Sequence, residues 1–287
     1  MTHAALALMW LLHWLPFRAT GMIGAALGHL LYALNGERRA TANINLRLCF
    51  PGLGDRERES LAKQHFVAFA QSALERSLLW WASPARLKKL VQLEGLEHLQ
   101  ALRGRPVILL APHFVGLDVG WTRLTMEWDM VTMYAHIKNA TFDQVLLRGR
   151  ARFGQQQLVA RQEGLRCVIA AIRDGKPFYY LPDMDYGMRD ALFVPFFGVT
   201  AATISTVSRL ARISGARVLM VVTQRHADGY VVAIKSSWPD FPAAAVEADT
   251  QYMNRAIEAE VQAGDIAQYF WSHKRFKTRP PGEKGVY

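Results

Sequence analysis

Cysteine is nearly missing from this chain: 287 residues contain only Cys49 and Cys167. Two thiols so far apart exclude a disulfide scaffold and a CxxC metal or redox pair. Charge is also sparse, at 20% of residues, and acids are the scarcer sign, with 24 Asp and Glu against 34 Lys and Arg. Several motifs are absent as well. No GxSxG, Walker A, HExxH or strand-following GxGxxG occurs, which removes the serine elbow, the P-loop, the zincin helix and the dinucleotide fingerprint. What is present is 51% hydrophobic, too apolar for a disordered chain and long enough for one large domain or two small ones. The formal net charge of +10 asks for an anionic partner: nucleic acid, a membrane surface, a phosphorylated ligand or an acidic protein.

The N-terminus carries the longest stretch without charge. Between Ala4 and Leu34 the only charged residue is Arg18. Pro16 and Arg18 divide it into pieces shorter than the roughly 20 residues that span a bilayer. A cleaved signal peptide fits poorly, because no basic region precedes the apolar run. A kinked anchor, an interfacial helix and a buried helical pair remain, and Trp10, Trp14, Tyr32 and the flanking Arg38 and Arg39 favour membrane association. Gly24 and Gly28 permit a close helix approach.

The expected organisation is an N-terminal membrane-associated segment (1–36) followed by one α/β domain (37–287). Helical patterns cover Glu37–Cys49 and Asp55–Ala82. Strands are then expected at Val107–Ala111, Met130–Ala135, Phe178–Pro182, Val218–Val222 and Tyr230–Ile234. Helices are expected at Gly116–Glu127, Thr141–Arg152, Leu165–Arg173, Ala202–Ser214 and Ala248–Val261. Alternation of strand and helix predicts a mostly parallel or mixed central sheet flanked by helices. The turn Ala227-Asp228-Gly229 predicts one antiparallel edge pair.

Four clusters bear chemistry. The run VILLAPHFVGLD places His113 just past a buried strand, with Asp118 in a His-x4-Asp spacing; ligands collect at such strand ends. An acid that orients one imidazole nitrogen leaves the other to act as a base. A loop histidine beside a helix-capping aspartate is the competing reading. Arg148, Arg150 and Arg152 offer guanidinium forks for phosphate or an oxyanion, or form a solvated run. Asp183, Asp185, Tyr186, Arg189 and Asp190 lie in a strand-end loop before Leu192–Gly198, which is either a wall for a lipid chain or a core strand with acids as caps; no histidine accompanies the acids, so no metal is expected. Finally, Tyr269, Phe270 and Trp271 interleave with Lys274, Arg275 and Lys277, a pattern that suits single-stranded nucleic acid, an anionic headgroup layer or a docked basic tail.

Taken together, these runs resemble the bacterial lipid A late acyltransferases, the lauroyl/myristoyl family. The resemblance rests on HFVGLD, RGRARFG, LPDMDYGMRDALFVPFFG with SRLARISGA, QYFWSHKRFKTRPPGE and NINLRLCFPG, in order over nearly the whole chain. It implies a glycerolipid acyltransferase-like fold in an inner-membrane enzyme, with an N-terminal anchor and its catalytic face in the cytoplasm. Such an enzyme moves a fatty acyl group from acyl carrier protein to a hydroxyl of a phosphorylated lipid A precursor. The carrier thioester is a co-substrate and no further cofactor is implied. By the resemblance His113 is the general base, Asp118 orients it and Arg150 stabilises charge. Arg148, Arg152, Asp183, Asp185, Tyr186, Arg189, Lys274, Arg275 and Lys277 are expected to meet substrate. Another lipid acceptor, such as a lysophospholipid or glycolipid, would use the same chemistry.

The basic excess falls in two places. Lys138, Arg148, Arg150, Arg152, Arg161, Arg166 and Arg173 face only Asp143 and Glu163 in one segment. Lys274, Arg275, Lys277, Arg279 and Lys284 face only Glu283 in the other. Beside an apolar N-terminus, that placement favours a phosphorylated lipid and an acidic carrier over nucleic acid, for which no reading module is present.

Overall fold

The computed structural model describes residues 2–287. Five helices come first: α1 (Thr2–Leu12), α2 (Phe17–Leu34), α3 (Gly36–Cys49), α4 (Asp55–Trp81) and α5 (Pro84–Leu90). Their ends follow the local sequence. Asn35 caps α3 by accepting from the Arg38 amide, and Ser83 caps α5 ahead of Pro84 at its first position.

Helix α2 lies along α4, and glycine makes the approach feasible. A Cβ on Gly24 would sit 2.7 Å from the Gln71 Cα, and one on Gly28 2.5 Å from the Val67 Cα. No side chain fits there. At its start, α2 is held by Phe17, whose ring lies 4.6 Å beneath the Arg225 guanidinium. Arg225 is itself locked to buried Glu75 of α4 at 2.7 Å. No helix among the described residues is both long and apolar enough to cross a membrane. The expected anchor is therefore a helical pair laid against α4, with Leu8, Trp10, Leu11, Trp14, Met22, Ile23, Leu30 and Leu34 left exposed.

The α/β part continues through β1 (Val91–Glu94), α6 (Leu96–Gln100), β2 (Val107–Leu110), α7 (Leu117–Leu124), β3 (Val131–Tyr134), α8 (Ala140–Arg150) and β4 (Gln157–Ala160). Then come α9 (Arg166–Arg173), β5 (Phe178–Tyr180), β6 (Ala191–Phe196), β7 (Val199–Ile204), α10 (Thr206–Ser214), β8 (Arg217–His226), β9 (Gly229–Ile234) and α11 (Val246–Ala263). Seven strands form one sheet in the order β1-β9-β8-β2-β5-β3-β4. Every neighbouring pair is parallel except β8 with β9. The expected antiparallel pair at Asp228-Gly229 is there, but β1 covers it, so it is not the edge.

The sheet is buried on both faces, as its continuous apolar strands require. Ile108, Leu110, Phe178, Val218 and Met220 enter one core with α9, α10 and α11. Val107, Leu109, Tyr179, Leu219 and Val221 enter the other with α5, α7 and the end of α4.

The sequence reading departs from the structure at residues 191–204. The helix expected from Ala202 starts at Thr206, and Val199–Ile204 is strand, paired with β6. The two-residue link Phe197-Gly198 has φ of 51° and 74°, the doubly left-handed geometry of a tight hairpin. Val194 and Phe196 are buried, Leu192 and Phe193 half-buried and Pro195 exposed, so the run before Gly198 is a strand with one face in the core.

Candidate active site

Strands β2 and β5 are parallel neighbours with Leu110 opposite Tyr180, and Ala111 donates its amide to the Tyr180 carbonyl at 2.8 Å. Three residues beyond that pair, the two strand ends deliver His113 and Asp183 to the same place. His113 Nδ1 lies 2.6 Å from Asp183 Oδ1, and the His113 amide donates to Asp183 Oδ2 at 2.9 Å. An ionised carboxylate only accepts, so Nδ1 carries the proton and Nε2 is the free nitrogen. Asp183 is 1% exposed. Burial opposes its ionisation, but the charge of His113 and the hydrogen bonds from His113 and Tyr269 prevail and pull its carboxyl down to about 2.

Asp118, in the first turn of α7, has different partners. Its Oδ2 accepts from Arg76 of α4 at 2.9 Å, and its Oδ1 from Arg150 at the end of α8, also at 2.9 Å. Burial works against the charge, yet Arg150 and Arg76 hold this carboxyl below the usual range. The expected hydrogen bond from His113 to Asp118 is thus replaced by one to Asp183. Geometry explains the difference: Asp183 sits at the equivalent end of the adjacent strand, whereas Asp118 is already engaged by two guanidinium groups.

Two clefts meet here. One, of about 670 Å³, runs past Met133, Tyr134, Phe142, Leu146, Leu165 and Tyr180 toward Arg161, Tyr186 and Asp190. The other, of about 550 Å³, runs along α4 past Phe69, Ala73, Phe114, Val115 and Phe270. Arg76, His113, Ile137, Arg150, Asp118 and Leu181 line both. Apolar walls converging on a few polar groups suit a ligand with hydrocarbon and one reacting polar centre. Among the described residues, no group of three or more His, Cys, Asp or Glu is placed to hold a metal.

The other expected substrate contacts separate. Tyr186 stands at the mouth of the larger cleft, where Arg161 lies 4.6 Å over its ring and donates to its hydroxyl at 2.8 Å. Arg148 is exposed on α8 and lines neither cleft. Arg152 turns away and donates to the Leu79 and Ala82 carbonyls at the end of α4. Asp185 is buried and accepts from the Thr278 amide and hydroxyl at 2.7 and 2.8 Å. Arg275, expected to meet substrate, is 3% exposed and donates to the Ala202 carbonyl and the Thr203 hydroxyl. Lys274 pairs with Glu37 at the surface, and Lys277 and Arg189 are exposed. The basic C-terminal segment is thus in part a packing element, because its aromatic neighbours carry it into the core. Arg76 escaped the sequence reading; a lone base in the apolar end of a helix, ALERSLLWW, was its signal.

A family model for the bacterial lipid A biosynthesis acyltransferases matches residues 1–278. The chain is 32% identical to a lipid A biosynthesis palmitoleoyltransferase of Escherichia coli strain K12, over 100% of this chain and 94% of that protein. It is 30% identical to the lauroyltransferase of the same organism, with the same coverage. With the myristoyltransferase it shares 31% identity over 92% of this chain and 82% of the other.

Proposed function

The chain belongs to the bacterial lipid A biosynthesis acyltransferases, and from that premise we propose that it transfers a fatty acyl group from acyl carrier protein to a hydroxyl of a phosphorylated lipid A precursor. The observation that carries the mechanism is the His113–Asp183 pair, with a free imidazole nitrogen at the junction of two clefts.

An alcohol is a weak nucleophile and needs a base to attack a thioester. His113 Nε2 takes the hydroxyl proton as the alkoxide oxygen bonds to the thioester carbon. Asp183 holds the ring and stabilises the imidazolium that forms. The carbonyl oxygen becomes an oxyanion, for which Arg150 and Arg76, lining the same two clefts as His113, supply positive charge. Asp118 holds those two guanidinium groups side by side, so they meet developing charge without reorganising. Collapse of the tetrahedral intermediate breaks the carbon–sulfur bond, and the carrier thiolate recovers the proton from His113. The apolar cleft walls take the hydrocarbon chains of donor and acceptor.

Purified protein, acyl carrier protein loaded with a fatty acid and lipid A precursor should yield a precursor heavier by one acyl group in mass spectrometry. Transfer only from another thioester, or only to a lysophospholipid or glycolipid, would replace the donor or the acceptor.

The enzyme docks on the cytoplasmic leaflet of the bacterial inner membrane through α1 and α2. Leu8, Trp10 and Leu11 of α1, Trp14 in the link and Met22, Ile23, Leu30 and Leu34 of α2 are exposed, Trp14 to 67% and Leu34 to 74%. The Asn139 amide group, two residues past cleft-lining Ile137, donates to the Thr2 hydroxyl at 2.7 Å. Exposed apolar and Trp side chains suit the interfacial zone of a bilayer. Flotation with anionic vesicles tests it: Leu11→Ser with Trp14→Ser should reduce binding severalfold, and undiminished binding would remove this surface from the reading.

A further inference from the structure

Tyr269 lines neither cleft, yet it touches the group that orients the base. We propose that Tyr269 is a positioning residue, which fixes through one hydrogen bond the carboxylate oxygen that Asp183 presents to His113. The proposal rests on His113 being the general base of acyl transfer.

The geometry is a division of labour between two oxygens. Asp183 Oδ2 accepts the Tyr269 hydroxyl at 2.8 Å and the His113 amide at 2.9 Å. Oδ1 is left to the imidazole at 2.6 Å. A carboxylate with one oxygen doubly held cannot turn about its final bond. The phenol is buried among Phe114, Phe196 and Trp271, and burial keeps it protonated, so it remains a donor.

The backbone carries Tyr269 to this place by the same route. Tyr269 forms an antiparallel bridge with Phe114, the Phe270 amide donates to the His113 carbonyl at 2.9 Å, and the Val115 amide donates to the Gln268 carbonyl at 2.8 Å. The Phe270 ring stacks between His113 and Phe69. One short strap thus braces both sides of the base.

Among the groups near the pair, His273, Tyr180 and Tyr186 keep their neutral forms at neutral pH. His273, whose ring accepts from the Asp185 amide, is held down at about 4 by burial and by His113. Tyr180 and Tyr186 are pushed up by burial, and Arg275 lies 5.1 Å over the ring of Phe196, which packs on Tyr269. Asp118, Arg76 and Arg150 form their own cluster on the cleft wall.

The test compares full-length wild type, Tyr269→Phe, Asp183→Asn, the double variant and His113→Ala in acyl transfer from carrier to precursor. Losing one such hydrogen bond should lower kcat about tenfold with little change in KM. The unshared Asp183 charge would stabilise the imidazolium more, moving the acidic limb of kcat/KM upward by about half a pH unit. Tyr269→Phe should cost nothing further in an Asp183→Asn background. An unmoved limb, or losses that multiply, would reduce Tyr269 to a packing residue. Should Tyr269→Phe fail to fold, 3-fluorotyrosine at this position keeps the shape and strengthens the donor, and the limb should move down; an unmoved limb there overturns the proposal. Full activity of His113→Ala would instead refute the base itself.

Discussion

His113 and Asp183 stand equally far beyond a matched pair of β-strand residues, Leu110 and Tyr180, and meet at 2.6 Å. The contact is a consequence of sheet register. Two parallel strands that stop together release their following residues side by side. Separating the roles of Asp183 and Asp118 is therefore the most direct functional test. Asp183→Asn should lower kcat by about 10³–10⁴-fold with the fold intact, since the ring loses its partner and its tautomer. Asp118→Asn should act through Arg76 and Arg150, at a cost of about 10²-fold, with the acidic limb of the pH profile in place. Equal losses with equal limb shifts in the two variants would contradict the assignment.

The C-terminal bases should divide into two kinds under a thermal melt. Arg275→Ala removes a buried donor from the Ala202 carbonyl and the closer of two donors from the Thr203 hydroxyl, leaving it only Asn254 at 3.3 Å, and should cost about 2–4 kcal/mol of stability. Lys277→Ala, at an exposed position, should change stability by less than about 0.5 kcal/mol.

Packing between α2 and α4 gives a third expectation. Leucine at position 28 would drive side-chain atoms into the Val67 backbone, so Gly28→Leu should destabilise by about 1–3 kcal/mol or detach α2. Urea unfolding reads the first outcome, and protease cleavage near residue 35 reads the second. A variant as stable and resistant as wild type would show that α2 is not held this way.

Stability should also fall on mild acidification. His65 is fully enclosed, within 3.0 Å of the Ala267 carbonyl and 3.1 Å of the Ser272 hydroxyl, and burial lowers its imidazole from 6.5 to about 4. The unfolded chain takes up a proton below pH 6.5 that the folded chain refuses until about pH 4. Stability is complete above that window and declines through it, by about 3 kcal/mol for this residue. Asp183, depressed to about 2, acts only below its ordinary 3.8. Urea midpoints at pH 7 and pH 4.5 should differ, and His65→Gln should narrow the difference; an unchanged gap would assign the acid sensitivity elsewhere.

Much of this architecture was legible in the sequence where a local pattern decides it. VILLA, FYYLP, VLMVV and YVVAI are apolar on every position because their sheet is covered twice, and they fall in β2, β5, β8 and β9. VQLE and QLVA escaped notice because short strands of mixed polarity carry no periodic signal; they are β1 and β4, the two edges. The stretch Val199–Ile204 is apolar enough for either state, and only its pairing with β6 makes it strand. His113 was visible from its place after a buried strand. Asp183 was visible as a strand-end site residue, but its pairing with His113 was not, because the spacing to Asp118 lies along the chain and the bond to Asp183 lies across the sheet.

The strap that reaches back to the base has a consequence for biosynthesis. Asp183 and Tyr269 are 86 positions apart, and Phe270 reaches His113 from still later in the chain. During translation, β2 and β5 emerge well before this strap. In a chain cut short before this strap, β2 and β5 could pair while His113 and Asp183 lack the Phe270 and Tyr269 contacts that brace them.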